Sequence, residues 1–308
     1  MADKIATRQA YGEILVELGN QNENIVVLDA DLSKSTMTTH FEKACGGRFF
    51  NVGIAEQNLY GVAAGMAASG KTVFASTFAM FAAGRAYEII RNSIGYARLN
   101  VKICATHAGV TVGEDGGSHQ AIEDMALMRA IPGMIVLNPA DAVSARKLIT
   151  AASELDGPVY VRLGRAAVPV VYNEDSDIRI GKGICIREGS DCTVIATGIM
   201  INEALIAAEK LSAEGISVRV IDMHTIKPID RDIIIKAARE TKGIVTCEEH
   251  TVIGGLGSAV AEVTSQEQPV RIRMVGIQDK FGESGKPDEL LKKFNLTSDD
   301  IIEAVRSF

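Results

Sequence analysis

The sequence predicts an α/β protein made of two doubly wound βα domains. Short runs rich in Val, Ile and Leu alternate with helix-periodic segments along nearly all of its 308 residues. That is the pattern of parallel strands buried on both faces and joined by crossover helices. The alternation lapses once, between about Val168 and Asp191, and then resumes. With 47% hydrophobic and 23% charged residues, the chain can bury the core that such a layered fold needs.

In order, the apolar runs Ile25–Leu28, Phe49–Val52, Thr72–Ala75, Val101–Ala105, Met134–Leu137 and Pro158–Arg162 read as strands. The segments between them read as helices over Arg8–Leu18, Ala55–Ser69, Phe81–Tyr96, Ala121–Ala130 and Asp141–Glu154. Asp141 follows Asn138-Pro139 and suits a helix N-cap, where its carboxylate accepts an orphan backbone N–H. Two β-like stretches, Val168–Tyr172 and Gly183–Ile186, flank the polar segment Asn173–Asp177. A second series follows: strands at Thr193–Ala196, Ser217–Asp222, Gly243–Cys247 and Arg271–Ile277, and helices over Asn202–Glu214, Arg231–Thr241 and Gly257–Thr264, with closing helices from Pro287 and Ser298. The expected division is a domain over residues 1–172, a linker over 173–190 and a domain over 191–308.

A net charge of −7 disfavours nucleic acid and membrane surfaces as partners. No apolar run approaches the ~20 residues that span a bilayer, and the N-terminus has no apolar export core. The five cysteines are scattered without a CxxC pair. Buried thiols in a reducing cytoplasm are expected rather than disulfides or a zinc site.

Ligands of open α/β sheets sit beyond the carboxyl ends of the strands, and the polar candidates fall there. In Arg48-Phe-Phe-Asn-Val-Gly-Ile-Ala-Glu56, a strand ends in a turn glycine and a carboxylate opens a helix of small residues. Glu56 can hold a proton against a ring nitrogen, or can simply be a first-turn glutamate favoured by the helix dipole. The first loop, Asp29 to Ser35, is rich in side-chain oxygens, as an ordinary Asx turn also is. Phe78 and Phe81 are expected on one face of a starting helix, as core or as a platform for a flat ring. The longest loop, Thr106 to Gln120, holds His107, Glu114, Asp115, His119 and four glycines. Ordering such a loop costs entropy, and two histidines around an acid at a sheet edge favour catalysis or anion binding over metal binding. Arg162 and Arg165 close the domain with anion-recognition chemistry or a linker ion pair. Gly254-Gly-Leu-Gly257 lacks the spacing of a dinucleotide loop.

Together these residues resemble the thiamine-diphosphate-dependent transketolases. The resemblance rests on Ala6-Thr-Arg8, Ala30-Asp-Leu-x-x-Ser35, Asn51-x-Gly-x-x-Glu56, Thr77-Phe-x-x-Phe81, Thr106-His107, Gly113-Glu-Asp-Gly-x-Ser-His119-Gln and Arg165-x-x-x-Pro169. It covers nearly the whole chain but only the second half of a full-length family member, a pyrimidine-binding domain followed by a transketolase-type C-terminal domain. The resemblance implies that Glu56 bonds the aminopyrimidine nitrogen, that Phe81 with Phe78 surrounds that ring, and that Asp31 lies close to the thiazolium. It implies His119 near the reacting carbonyl and hydroxyl, and Asp115 on a sugar hydroxyl. It implies Arg8, Ser35, His107 and Arg165 around the sugar phosphate. Gly84 stands where many members carry a tyrosine, so the aromatic wall is incomplete.

The family's Gly-Asp-Gly motif for diphosphate and Mg²⁺ is absent from this sequence. The resemblance therefore implies a split enzyme of pentose phosphate and carbohydrate metabolism, active with an N-terminal-half partner that carries the Mg²⁺ ligands. An α2β2 heterotetramer with a homodimer contact of this chain is expected. Two alternatives keep the cofactor: a 1-deoxyxylulose-5-phosphate synthase-like chain, or a 2-oxoacid dehydrogenase E1 β-like subunit. His107 and the Glu-Asp-Gly-x-Ser-His run favour transketolase over both. A third alternative is a non-catalytic homologue that only binds a partner. His224 and His250 are expected to be structural.

Overall fold

The computed structural model describes residues 4–308. Fourteen strands are β1 (Lys4–Ala6), β2 (Ile25–Asp29), β3 (Phe49–Asn51), β4 (Thr72–Phe78), β5 (Val101–Thr106), β6 (Ile135–Leu137), β7 (Val159–Arg162), β8 (Ala167–Pro169), β9 (Ile184–Arg187), β10 (Cys192–Ala196), β11 (Val218–Asp222), β12 (Thr225–Lys227), β13 (Ile244–Thr251) and β14 (Ile272–Ile277). They form a seven-stranded sheet in the order β12-β6-β7-β5-β4-β2-β3 and a five-stranded sheet in the order β14-β13-β10-β11-β9, with β1 and β8 paired apart. All neighbours in the large sheet are parallel except β12 with β6. The smaller sheet is parallel except for its edge strand β9. Two mixed, helix-covered sheets of this kind are the expected α/β architecture.

The period of two explains why both faces are covered. In β2, Ile25 and Val27 pack on one side with Tyr11, Leu15 and Leu148, while Val26 and Leu28 pack on the other with Leu59, Tyr60 and Ala63. Adjacent residues of a strand face opposite ways, so a run of consecutive apolar residues needs a helix on each side. Lys102, in the middle of β5, is fully buried. Its ammonium donates to the carbonyls of Leu155 at 2.7 Å and Gly157 at 2.9 Å, and burial brings it down to about 8.

Four elements differ from expectation. The segment Phe81–Tyr96 is not one α-helix: π-helical turns at Phe81–Arg85 and Ile90–Gly95 flank a short α-turn, Tyr87–Ile89. Pattern alone cannot separate wide turns from α-turns, and they recur at functional sites. The stretch expected as linker contributes β9 to the second sheet. The β-like stretch after Arg165 is β8, which pairs with the N-terminal β1 rather than with the second domain. β12, from the second half of the chain, crosses back to edge the first sheet, with Thr225 opposite Leu137. The two halves therefore share a sheet. The expected N-cap at Asp141 is present: it accepts from Ser144 N–H at 2.7 Å in a reciprocal capping box.

Candidate functional site

The carboxyl ends of β2, β3, β4, β5 and β7 lie on one edge of the parallel sheet, and chain direction alone puts the site residues there. Asp29 ends β2 fully buried and gathers the next turn, accepting from Leu32 N–H at 2.6 Å, Thr36 at 2.7 Å and Thr38 at 2.9 Å. Burial raises its pKa. Asp31 follows with φ +63°, a left-handed conformation that Asp tolerates better than most side chains. Asn51, ending β3, accepts the N–H groups of Asp31 at 3.1 Å and Gly53 at 2.9 Å. One amide side chain thus ties the first loop to the turn that leads into Glu56.

Glu56 opens the helix Glu56–Ala68 and is 3% exposed. Its Oε2 lies 3.3 Å from Arg85 Nη1. Among the described residues no other side chain or N–H donates to the carboxylate. Arg85, at the end of the π-turn, is more than half exposed and sits over the Phe81 ring at 5.5 Å. Phe81 and Phe78 stack with centroids 5.9 Å apart. Their arrangement differs from expectation: β4 runs through Phe78, so that ring projects from a strand end and Phe81 from the π-turn after it. Phe78 is buried against the His107 ring at 3.9 Å, which leaves Phe81 as the more open aromatic face. The space beside Gly84 is filled by Met80.

His107 has φ +58°, is 3% exposed and shares a 2.9 Å hydrogen bond with the Thr106 hydroxyl. Burial, then Arg8, Arg165 and His119, push its imidazole down to about 3, so it is neutral at physiological pH. Burial and the neighbouring Arg165 also lower Arg8. Arg8 donates to the Ser35 carbonyl at 2.6 Å, while its Nε is buried with no hydrogen-bond partner in the protein. Arg165 donates to the Val112 carbonyl and lies 3.4 Å from Glu114. His119 is half-buried, edge-on to Phe81 at 5.4 Å, with its Nδ1 3.0 Å from the Ser118 hydroxyl. Arg8, Ser35, His107, His119 and Arg165 are therefore brought together, with two guanidinium groups around a neutral imidazole and a buried unpaired N–H. That chemistry suits an oxyanion with several acceptor atoms. Asp115 stands apart, exposed in the loop with no side-chain hydrogen bond among the described residues.

Two features were not expected from the sequence. Arg85 is one. The other is a buried polar layer beneath the long loop: Arg162 donates to Asp124 at 2.9 Å and to the Glu249 carbonyl at 2.9 Å. Glu249 Oε1 accepts from Thr111 N–H at 2.6 Å, and burial raises Glu248 and Glu249 to about 7. The signal was an acidic pair, Glu248-Glu249, directly continuing an apolar strand. His224 and His250 are fully buried, and burial brings each to about 4. A cavity of about 910 Å³ is lined by Phe81, Gly84, Arg85 and Ser118 on one side and by Leu127 and Phe281 on the other. Neither Glu56 nor the arginine cluster lines it. Among the described residues no group of three His, Cys, Asp or Glu is placed to hold a metal ion, and no helix is long and apolar enough to cross a membrane.

Known proteins resemble this chain over nearly its whole length. Residues 3–170 match the transketolase pyrimidine-binding domain family and residues 181–301 the transketolase C-terminal domain family. A candidate transketolase C-terminal section of Methanocaldococcus jannaschii is 52% identical over 301 residues, covering 97% of this chain and 94% of that protein. The 6-deoxy-6-sulfo-D-fructose transketolase subunit SqwH of Clostridium sp. is 42% identical, covering 96% and 92%. Human transketolase is 40% identical over 99% of this chain, which spans only 49% of the human protein. Among solved structures, a split-gene transketolase described as an inactive β4 tetramer superposes with a TM-score of 0.93 at 58% identity, covering 98% of each chain. Campylobacter jejuni transketolase shares the fold, with a TM-score of 0.85 at 23% identity over 100% of this chain and 47% of its own. The chain belongs to the transketolase family, spanning its pyrimidine-binding and C-terminal domains.

Proposed function

We propose that this chain is one subunit of a two-chain transketolase that moves a two-carbon ketol unit from a ketose phosphate to an aldose phosphate, using thiamine diphosphate. The observation that carries the reading is Glu56, a buried carboxylate at a helix start with only an exposed arginine as partner, joined to the basic cluster through the Phe81, Phe78 and His107 rings. The residues fit the cofactor's ring: an acceptor for a ring N–H, the Phe81 face beside it, and an arginine able to swing into solvent. When bound, the cofactor supplies the electron sink for carbon–carbon cleavage.

Each residue then has a task. Glu56 holds a proton against the ring nitrogen, the contact a general acid–base group must make within hydrogen-bond reach. Phe81 packs the ring, and Phe78 supports both Phe81 and His107. Asp31, fixed by Asn51, faces the reacting end. His119 exchanges protons at the substrate carbonyl and hydroxyl, and Asp115 orients a sugar hydroxyl. Arg8, Ser35, His107 and Arg165 hold the terminal phosphate, and the two guanidinium groups offset its charge within an acidic protein. The diphosphate anchor and the Mg²⁺ ligands belong to an N-terminal-half partner in an α2β2 assembly. A similar chain that assembles alone as an inactive tetramer supports that dependence. The sulfosugar-acting relative supports a terminal oxyanion as the recognised group.

The test mixes this chain with an N-terminal-half subunit, thiamine diphosphate and Mg²⁺, and offers ketose phosphates, a sulfonated ketose and pyruvate as donors. Ketol transfer from an anionic ketose that needs both chains is the expected result. Turnover of pyruvate instead would move the chain to the synthase or dehydrogenase reading. Absence of partner-dependent transfer would leave a binding role.

A further inference from the structure

The loop from Thr106 to Gln120 carries His107 and His119, yet much of what holds it comes from the second half of the chain. Glu249, near the end of β13, lies directly beneath Gly109, where any side chain would strike its carboxylate. Gly109 has φ +79°, so glycine serves there both for conformation and for closeness. Two residues on, Thr111 N–H donates to Glu249 Oε1 at 2.6 Å, a buried bond across 138 residues of sequence. The next residue, Val112, supplies the carbonyl that receives Arg165. A short path therefore runs from Glu249 through the Thr111–Val112 backbone to an arginine of the oxyanion cluster. The far end of the loop is held the same way. Gln120 donates to the Glu283 carbonyl at 2.9 Å, and Gly117 lies so close to Gly282 that a β-carbon would meet its carbonyl.

We propose that Glu249 is a positioning residue of the second domain, whose bond to Thr111 N–H sets the loop backbone that aims Arg165 at the substrate's terminal oxyanion. The inference rests on the transketolase reading for the identity of the substrate but not for the bond itself. A buried hydrogen bond to a carboxylate is among the stronger ones, and removing its acceptor leaves a buried N–H unpaired. The backbone turn then has reason to shift. Glutamine at position 249 keeps an acceptor oxygen at the same reach; aspartate keeps the acid but withdraws it.

The test compares E249Q, E249D and E249A in the full chain. Amide hydrogen exchange reads the bond: Thr111 should exchange at least tenfold faster in E249D and E249A and within twofold of wild type in E249Q, while the amides of β5 stay unchanged. With the partner subunit and cofactor, KM for a ketose phosphate should rise about tenfold in E249D, and KM for a non-phosphorylated ketose should stay within twofold. Equal rises for both donors, or Thr111 exchange unchanged in E249D, overturn the proposal. If the wild type shows no ketol transfer, the functional reading fails by itself. Inorganic phosphate titrated into the chain, followed at the His107 ring signals, then decides: about tenfold weaker binding in E249D supports the positioning role, and equal binding overturns it. If E249A does not fold, E249D against E249Q still carries the comparison.

Discussion

Glu56, at a helix start, and His107, just past the end of β5, are equally buried, each 3% exposed, yet they are held in opposite ways. His107 is enclosed by its own chain. The Thr106 hydroxyl fixes one ring nitrogen, Phe78 stacks on its face, and Arg8 and Arg165 flank it. Glu56 meets one partner, an arginine that is itself mostly in solvent. An ion pair with so exposed a member is worth little, so Glu56 can exchange it for another hydrogen-bond donor at small cost. The basic side is prebuilt from this chain's own groups, whereas the carboxylate has a single, exposed partner. Preorganised groups are those whose loss is felt in substrate affinity, and proton-holding groups those whose loss is felt in turnover.

That contrast can be broken most severely at Glu56. Glu56→Gln should lower kcat of the partner-reconstituted enzyme by about three orders of magnitude, the range expected for removing a general acid–base group, with the melting temperature nearly unchanged. Wild-type turnover in that variant would remove Glu56 from the mechanism.

Arg8→Ala should act on the other side. We expect KM for phosphorylated sugars to rise ten- to a hundredfold, in line with loss of a charge-assisted hydrogen bond of about 1.5–3 kcal/mol, while kcat changes little. An equal loss of kcat and unchanged KM would mean that the arginine cluster does not bind the anion.

The smallest effect is a pH dependence. His107 takes its proton near 6.5 in the unfolded chain and at about 3 in the folded one. Stability from keeping it neutral is therefore present above about pH 6.5 and is lost as pH falls toward 3. For one such group the slope is about 1.4 kcal/mol per pH unit. Buried Asp222, Glu248 and Glu249, each raised to about 7, work in the opposite direction between about pH 4 and 7, so total stability conceals the His107 contribution. The gap between wild type and His107→Asn exposes it: it should narrow by about that slope from pH 6.5 to 5 in urea unfolding. A constant gap would mean that His107 is not held neutral.

Much of the site was legible because strand ends are legible. Asp29, Asn51, Thr106 and Arg162 each terminate an apolar run, and chain direction places such termini on one edge of a parallel sheet. Phe78 was misplaced because β4 continues three residues past Ala75, through Ser76 and Thr77, which are buried but polar enough to read as a loop. Glu249 was missed for the same reason. Its strand was expected to end at Cys247, yet β13 runs on through Glu248, Glu249 and His250 to Thr251. Of the partners that make those buried charges tolerable, Arg162 and Thr111 N–H are remote in sequence, while the N–H groups of Leu256 and Gly257 come from the helix start that follows the strand.

By itself the sequence determined the α/β alternation, the carboxylate at the mouth of its helix, and the concentration of His and Arg at the strand ends. These follow from local periodicity and from the direction of the chain. Only the tertiary structure decided that β12 edges the first sheet, that Phe78 supports His107, and that Glu249 underlies the loop. Those arrangements depend on contacts between residues far apart in the chain, whose energy comes from burying and pairing groups that no local pattern brings together.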